Sequence, residues 1–522
     1  MKIDNRLTPL LLLLALPLLL MPGGNSFAET ESAPPVLWEV NPLTVTSNTP
    51  VKDTDATLVA DKFGRLDSSA GNPDQGGGNP RPGAELPPEL IPPDPQNLPN
   101  IFMILVDTLR YDHTNMGGYV RNTTPNMEEF SETAYVFKNA KSQASWTIPA
   151  TASILYGLYP QNHGINAKPD TRPLEDPATG TLITQFQNLG GYHAISIQRN
   201  SNIEYLIGDF DEHYSHGRWY LHSDGSAVIE AMNRAQGISP RDKTFMFLGL
   251  FSPHWPYNFS IDDTDYFEEF LIDETYRNTG EKLIEATSFA SPAGELTYMD
   301  IPENIREGFS LPPDGEDAYR DARIYVAAYD AEVKYADEQI GVFLDRLKEL
   351  DLYDDAIVII MADHGEIMSE QEQPFHHGNH LFDSELAVPL MIKFPNQNRQ
   401  ETVLSSVRSV DVLPTLLDYL NINTTKEIDG KTLYPLLKGD TIDFAERPLF
   451  SYIETVGTKM SLYSSEMHLI EHAHSGEGLL FNVDNDPSEQ TDLAGVKPIQ
   501  LETLQESIYE IHCPAVSDKC GE

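Results

Sequence analysis

Residues 356–366 read Ala356-Ile-Val-Ile-Ile-Met-Ala-Asp363-His364-Gly365-Glu366, an unbroken and largely β-branched apolar run that ends on a carboxylate and an imidazole. A run of this kind predicts a strand buried on both faces, as in a parallel sheet covered by helices. The glycine after it is expected to let the chain turn. In open α/β sheets, ligands bind beyond the carboxyl ends of the strands, so Asp363 and His364 stand where a divalent metal could be held. A strand-end aspartate by itself is more often a turn former or helix cap. A second stretch of the same design, Ile101-Phe-Met-Ile-Leu-Val-Asp107-Thr108, changes the weight: two such strands imply one shared site.

Around these strands the chain predicts an α/β fold with a large, mostly parallel sheet flanked by helices. Further strands are expected at His193–Ile197, Thr244–Leu250 and Val388–Phe394. Thr124-Pro125-Asn126-Met-Glu-Glu reads as a helix start with Pro in its first turn. Helices are also expected at Pro149–Leu158, Thr181–Leu189 and Val412–Leu420. A long one spans Ala318–Leu350, with Ile324, Ala328, Ala331, Tyr335, Ile340, Leu344 and Leu347 near one face. Residues 256–316 are polar and turn-rich and read as an excursion over the site. Beyond about residue 445, strand-like pieces (Leu449–Ile453, Met467–Ile470, Leu479–Val483) predict a small C-terminal α+β subdomain. The division is therefore 99–444 for the main domain and 445–522 for the subdomain and tail, within a 522-residue chain long enough to bury a large core.

Two segments precede the domain. Lys2 and Arg6, the Leu-rich run Leu10–Met21 and the small residues up to Ala28 form a secretory signal, 1–28. The run is short for a membrane span and Pro17 interrupts it, so cleavage after Ala28 is expected and retention as an anchor is the other reading. No other apolar stretch approaches spanning length. A soluble mature chain in the periplasm or outside the cell follows. Residues 29–98, rich in Pro and Gly, cannot bury enough apolar surface to order themselves and read as a linker; Trp38 and Leu43–Thr46 are its one strand-like piece. The only cysteines, Cys513 and Cys520, either close a small C-terminal loop or remain free thiols.

The formal net charge of −45 argues against a nucleic-acid partner. It also means that an anionic substrate approaches a repulsive surface and has to be captured by a local cation. Screening over about 8 Å confines that field to short range.

Four stretches recur in a fixed order: Ile104-Leu-Val-Asp107-Thr-Leu-Arg110-Tyr-Asp112; Ser145-Trp-Thr147-Ile-Pro149-Ala-Thr151-Ala-Ser153 to His163-Gly164; Tyr329–Ile340 with the strand to Glu366; and His377-Gly378 to Glu385 before Val388-Pro389. With Asp411-Val-Leu-Pro-Thr415 and Leu480–Pro487, this set resembles the sulfatase family of the alkaline-phosphatase-like superfamily, over roughly residues 99–497. The resemblance implies one divalent ion (Ca²⁺, Mn²⁺ or Zn²⁺) on Asp107, Asp363 and His364, which would lower the pKa of a bound hydroxyl. It places the nucleophile at Thr147, at the start of the Pro149 helix where free N–H groups favour anions. His254 resembles a histidine that contacts the ester oxygens. His377 resembles a group that polarises the substrate or protonates the leaving group, with His376 and His380 beside it. Ser145 is a rival nucleophile, helix capping is the other reading of Thr147, and Arg110 and Asp112 read as a structural ion pair.

One departure from the family carries chemistry. Sulfatases have Cys or Ser, with Pro and then Arg at fixed spacing, and convert the first residue to formylglycine. Here Thr147 and Thr151 occupy those places. Threonine cannot form that aldehyde, whose hydrate expels sulfate by elimination, whereas phosphorus accepts direct in-line attack. The sequence therefore predicts a hydrolase of small sulfuric or phosphoric esters with a covalent Thr147 intermediate, a phosphoric ester or diester being favoured chemically. A phosphotransferase to an alcohol acceptor and a non-catalytic binding protein are the alternatives.

Overall fold

The computed structural model describes residues 86–166, 180–215, 224–255, 257, 322–368, 370–371, 375–439, 447–455 and 457–512. The signal segment, the strand-like piece near Trp38, all of the 256–316 excursion but Tyr257, and both cysteines lie outside them.

The buried apolar runs form the strands they predict. β1 (Ile101–Val106), β5 (Thr244–Leu250) and β6 (Ile357–Ala362) are buried at every residue. With β2 (Tyr135–Lys141), β3 (His193–Gln198), β4 (Glu212–Ser215), β7 (Ala387–Lys393), β8 (Glu401–Val403) and β9 (Val407–Arg408) they form one sheet, in the order β4-β3-β5-β1-β6-β7-β2-β8, with β9 also on β2. Only β7 runs against its neighbours among these described strands. The carboxyl ends of β1, β2, β3, β5 and β6 therefore share one edge of the sheet, and β7 begins there. The parallel pair β1–β6 is in register to its end, with Val106 opposite Ala362, so residues 107 and 363 leave the sheet side by side.

Helices α1 (Pro125–Ser131), α2 (Thr147–Tyr156), α3 (Asp224–Ala235), α4 (Ala322–Glu349) and α5 (Val412–Tyr419) flank the sheet. Residues Thr181–Leu189 give a short helix, Ile183–Gln185, running into a wider π turn, Phe186–Gly190. A second, antiparallel sheet β10-β11-β12-β13 (Leu449–Thr455, Gly457–Ser464, Met467–His472, Glu477–Asn482) packs against α6 (Pro498–His512). Its β11 and α6, and β2, β4, β8 and β9 in the large sheet, are not among the sequence expectations, because they are short or interleave polar residues with apolar ones. The expected linker is also too long by its last residues: Leu90 and Leu98 are buried in the core, and the hydroxyls of Tyr419 and Tyr434 bond the carbonyls of Glu89 and Leu90.

Thr124 does not cap α1 with its side chain. The cap comes from α4: Asp337 accepts the backbone N–H groups of Asn126 (2.9 Å) and Met127 (2.8 Å) and the Asn126 amide (2.8 Å). This close seating needs Gly341 one turn on, where a Cβ would overlap Asn126 Cγ at 2.6 Å. In an exposed helix interior, Gly→Ala stabilises by about 1 kcal/mol. Here Gly341→Ala is expected to do the reverse, destabilising by roughly 1–3 kcal/mol through overpacking. Urea unfolding reads the sign directly.

Candidate active site

Asp107 follows β1 and Asp363 follows β6, both buried. A third donor, His364 Nε2, completes a group whose ligand atoms lie within 4.8 Å of one another. Nε2 is 3.4 Å from Asp107 Oδ1 and 3.7 Å from Asp363 Oδ2. The other ring nitrogen, Nδ1, is 2.8 Å from the Gly365 carbonyl, so it carries the proton and leaves an Nε2 lone pair facing the carboxylates. Burial, aided by His377, holds His364 well below its ordinary pKa and keeps it neutral.

The two acids are held differently. Asp363 Oδ1 accepts the N–H groups of His364 (2.8 Å) and Thr108 (3.3 Å), while its Oδ2 is buried without a hydrogen-bond partner among the described residues. Burial pushes Asp363 up to about 7 against the pull of those donors. Burial and then the charge of Asp363 raise Asp107 well above the carboxylate range. Two crowded acids, one unpartnered oxygen and a neutral imidazole lone pair fit a divalent cation, which would supply the missing charge. Thr108 has a left-handed φ of 57° and its Oγ1 is another buried oxygen without a partner among the described residues. Its carbonyl is held by Tyr329 OH at 2.7 Å.

Thr147 is the first residue of α2. Trp146 is the N-cap and makes no side-chain cap bond, so the helix begins two residues before the expected Pro149. The missing N–H of Pro149 is harmless in a first turn. Thr147 Oγ1 does not cap the helix either; it lies 3.4 Å from both Asp107 Oδ1 and His364 Nε2. Ser145 is fully buried.

Of the three neighbouring histidines, His377 faces the site. Its ring centroid is 4.7 Å from that of His364 and 4.8 Å from that of His254, and Nδ1 is 3.0 Å from Glu366 Oε1. Burial lowers its pKa, but the Glu366 carboxylate outweighs this and the net shift is upward. His376 is exposed, and His380 packs on Phe382. His254 stacks on Phe251, its Nδ1 meeting the Trp255 carbonyl, and burial with His377 lowers it to about 3. Its turn is fixed by Asp224 at the start of α3, which accepts the N–H groups of Phe251 (2.8 Å) and Ser252 (3.0 Å).

All six sequence candidates thus converge. Gly365 serves otherwise than expected: it is not among the positive-φ glycines, and what it supplies is room, since a Cβ there would collide with the Ser384 carbonyl oxygen. Arg110 does form the expected pair with Asp112 (2.7 Å), and it also binds Glu370 and the Glu366 carbonyl. Sequence reasoning missed Glu366, Asp224 and Asn200. Asn200 donates to Asp107 Oδ2, and its only signal is its position just past a strand end.

The comparisons with known proteins follow this geometry. The family described as Sulfatase matches residues 99–422, and the one described as N-sulphoglucosamine sulphohydrolase, C-terminal, matches residues 371–511. An ulvan-active sulfatase of Formosa agariphila is 25% identical over 450 residues, 80% of each chain. A protein solved with its substrate D-glucosamine-2-N,6-O-disulfate superposes with a TM-score of 0.63 at 17% identity, covering 81% of this chain and 99% of that one. The phosphonate monoester hydrolase of Agrobacterium radiobacter gives 0.62 at 17% identity, covering 80% and 96%. The chain belongs to the sulfatase family, on the fold shared with the alkaline-phosphatase-like superfamily, and is an ester hydrolase of that family.

Proposed function

We propose that this is an extracytoplasmic hydrolase of phosphoric esters or diesters that works through a covalent intermediate on Thr147. The observation that carries the reading is the Thr147 hydroxyl, 3.4 Å from an acid and an imidazole on neighbouring strands, at the first position of a buried helix. Asp107, Asp363 and His364 would hold a divalent cation, whose charge lowers the repulsion between an anionic ester and these acids.

The chain's own groups supply the rest. Thr147 gives up its proton to water as Oγ1 attacks phosphorus; the Oγ1–P bond forms and the bond to the leaving oxygen breaks. The free N–H groups of the first turn of α2 face the developing negative charge. His377, its Nδ1 held by Glu366, gives the departing oxygen a proton from Nε2, and His254 lines the ester oxygens. Water then attacks the phosphothreonine and releases the second product. A sulfuric ester is the second reading, favoured by the sulfatase named above. Among the described residues no helix is long and apolar enough to cross a membrane.

Matched nitrophenyl esters test the substrate class. Turnover of at least one of the two phosphorus esters is expected to exceed that of the sulfate, and sulfate release exceeding both phosphorus substrates would refute the assignment. Thr147→Ala should lose at least about a thousand-fold in kcat with KM little changed, while Thr147→Ser keeps a measurable rate. Retention of wild-type turnover by the alanine variant rules Thr147 out as nucleophile.

The crowded acids give a separate prediction. Burial pushes the folded Asp363 carboxyl up to about 7, from an ordinary carboxylate value of about 4 in the unfolded chain. The folded state therefore binds more protons between these values, and the metal-stripped protein should lose stability as pH rises through that window. At pH 8, Asp363→Asn should melt above the stripped wild type, because Asn Oδ1 still accepts both N–H groups and one buried charge is gone. Adding Mn²⁺ to about a hundred times its Kd should stabilise only the wild type, by about 2.7 kcal/mol. Differential scanning calorimetry reads both signs.

A further inference from the structure

Asn200 lies beyond the end of β3, two strands away from β1 in the sheet. The ladder continues past β3, with Arg199 N–H donating to the Gly249 carbonyl at 3.1 Å, which carries residue 200 over the end of β5 towards Asp107. Asn200 is only 4% exposed, and its Nδ2 donates to Asp107 Oδ2 at 2.5 Å. The amide is fixed at its other end as well. Its Oδ1 accepts the N–H of Asn202 at 2.8 Å, capping the 3-10 turn Ser201–Leu206. A flipped amide would set donor against donor at Asn202 and acceptor against acceptor at Asp107, so the orientation is determined by both partners.

We propose that Asn200 is the positioning residue that makes Asp107 a one-oxygen ligand. With Oδ2 tied back, the carboxylate cannot rotate to offer both oxygens, and Oδ1 alone remains beside Thr147 Oγ1 and His364 Nε2, 3.4 Å from each. The inference rests on the cation reading above and adds to it the group that organises the ligand. Asn200 touches neither the ligand position of His364 nor Thr147 in any contact described, so it acts through Asp107.

Asn200→Ser separates this role from plain helix capping. Serine caps the Asn202 N–H as well as asparagine does, adds no charge and is too short to span to Asp107. The full-length protein, stripped of metal, is titrated with Mn²⁺ by calorimetry, with Asn200→Thr made alongside so that a folding failure of one variant does not end the test. Mn²⁺ binding should weaken about 10–100-fold, as for other groups that orient metal ligands, while the stripped protein still unfolds in one cooperative transition, at a midpoint lowered because buried Asp107 Oδ2 has lost its donor. Excess Mn²⁺ should then restore turnover. Wild-type Mn²⁺ affinity in the variants, or turnover that stays lost at saturating Mn²⁺, overturns the proposal. A wild-type protein that takes up no Mn²⁺, Ca²⁺ or Zn²⁺ refutes the cation reading instead.

Discussion

The register of one strand pair governs this molecule. Because β1 and β6 run parallel and end together, Val106 opposite Ala362, two aspartates are delivered to the same buried spot. At an effective dielectric of about 20, like charges some 5 Å apart repel by roughly 3 kcal/mol, before any desolvation cost. The core has to offset that, and it can: twelve fully buried residues in these two strands are apolar, and burying each large one contributes about 2 kcal/mol. The fold holds the acids in an arrangement they would not adopt unaided, one that could hold a metal ion.

The second sheet matters because it braces the opposite wall. The loop that carries His377 has no regular structure, yet its backbone is tied at successive points. Glu385 accepts the N–H groups of Gly378 (3.0 Å) and Phe382 (3.3 Å) from within the main domain. From the small sheet, the Thr455 hydroxyl meets the Gly378 carbonyl and Lys459 meets that of Asn379; beyond its last strand, Glu489 accepts the Asp383 N–H at 2.6 Å. A histidine on an untethered loop would sample many positions; here the ends of the loop are set by two different layers. The C-terminal sheet therefore contributes to the site through backbone geometry without placing a side chain among the candidate groups.

What could be read from the sequence divides along a physical line. Asp107, Asp363 and His364 were legible because a parallel strand buried on both faces writes itself as a continuous apolar run, and its end is then obvious. Asn200 was not, since its partner lies 93 positions away and only the strand order, β3-β5-β1, shows that the two can meet. Glu366 sits inside a quoted motif, but its partner at 377 depends on how an irregular loop folds back. The choice between His377 and His376 was likewise closed to periodicity arguments. Gly365 shows the same limit from the other side: a glycine in a turn reads as conformational freedom, while its use here is clearance for a distant carbonyl.

Thr147, the proposed nucleophile, fits its place for reasons of stiffness. A threonine carries two heavy atoms on Cβ, which restricts χ1 and so restricts where the hydroxyl can point. At the first position of α2 the backbone is already helical, and Pro149 two residues on stiffens the same turn. A hydroxyl so constrained loses little further entropy on being brought against an electrophile, and effective concentration is what a weak, un-ionised nucleophile most needs. A serine in the same place would gain freedom and lose that constraint. An aldehyde hydrate and a threonine hydroxyl both have to attack in line with the leaving oxygen; they part at the second step, where the hydrate can eliminate from its own carbon and a threonine ester needs water to attack the central atom. It is on that second displacement at the central atom that the proposed phosphoric and sulfuric esters of Thr147 would differ most.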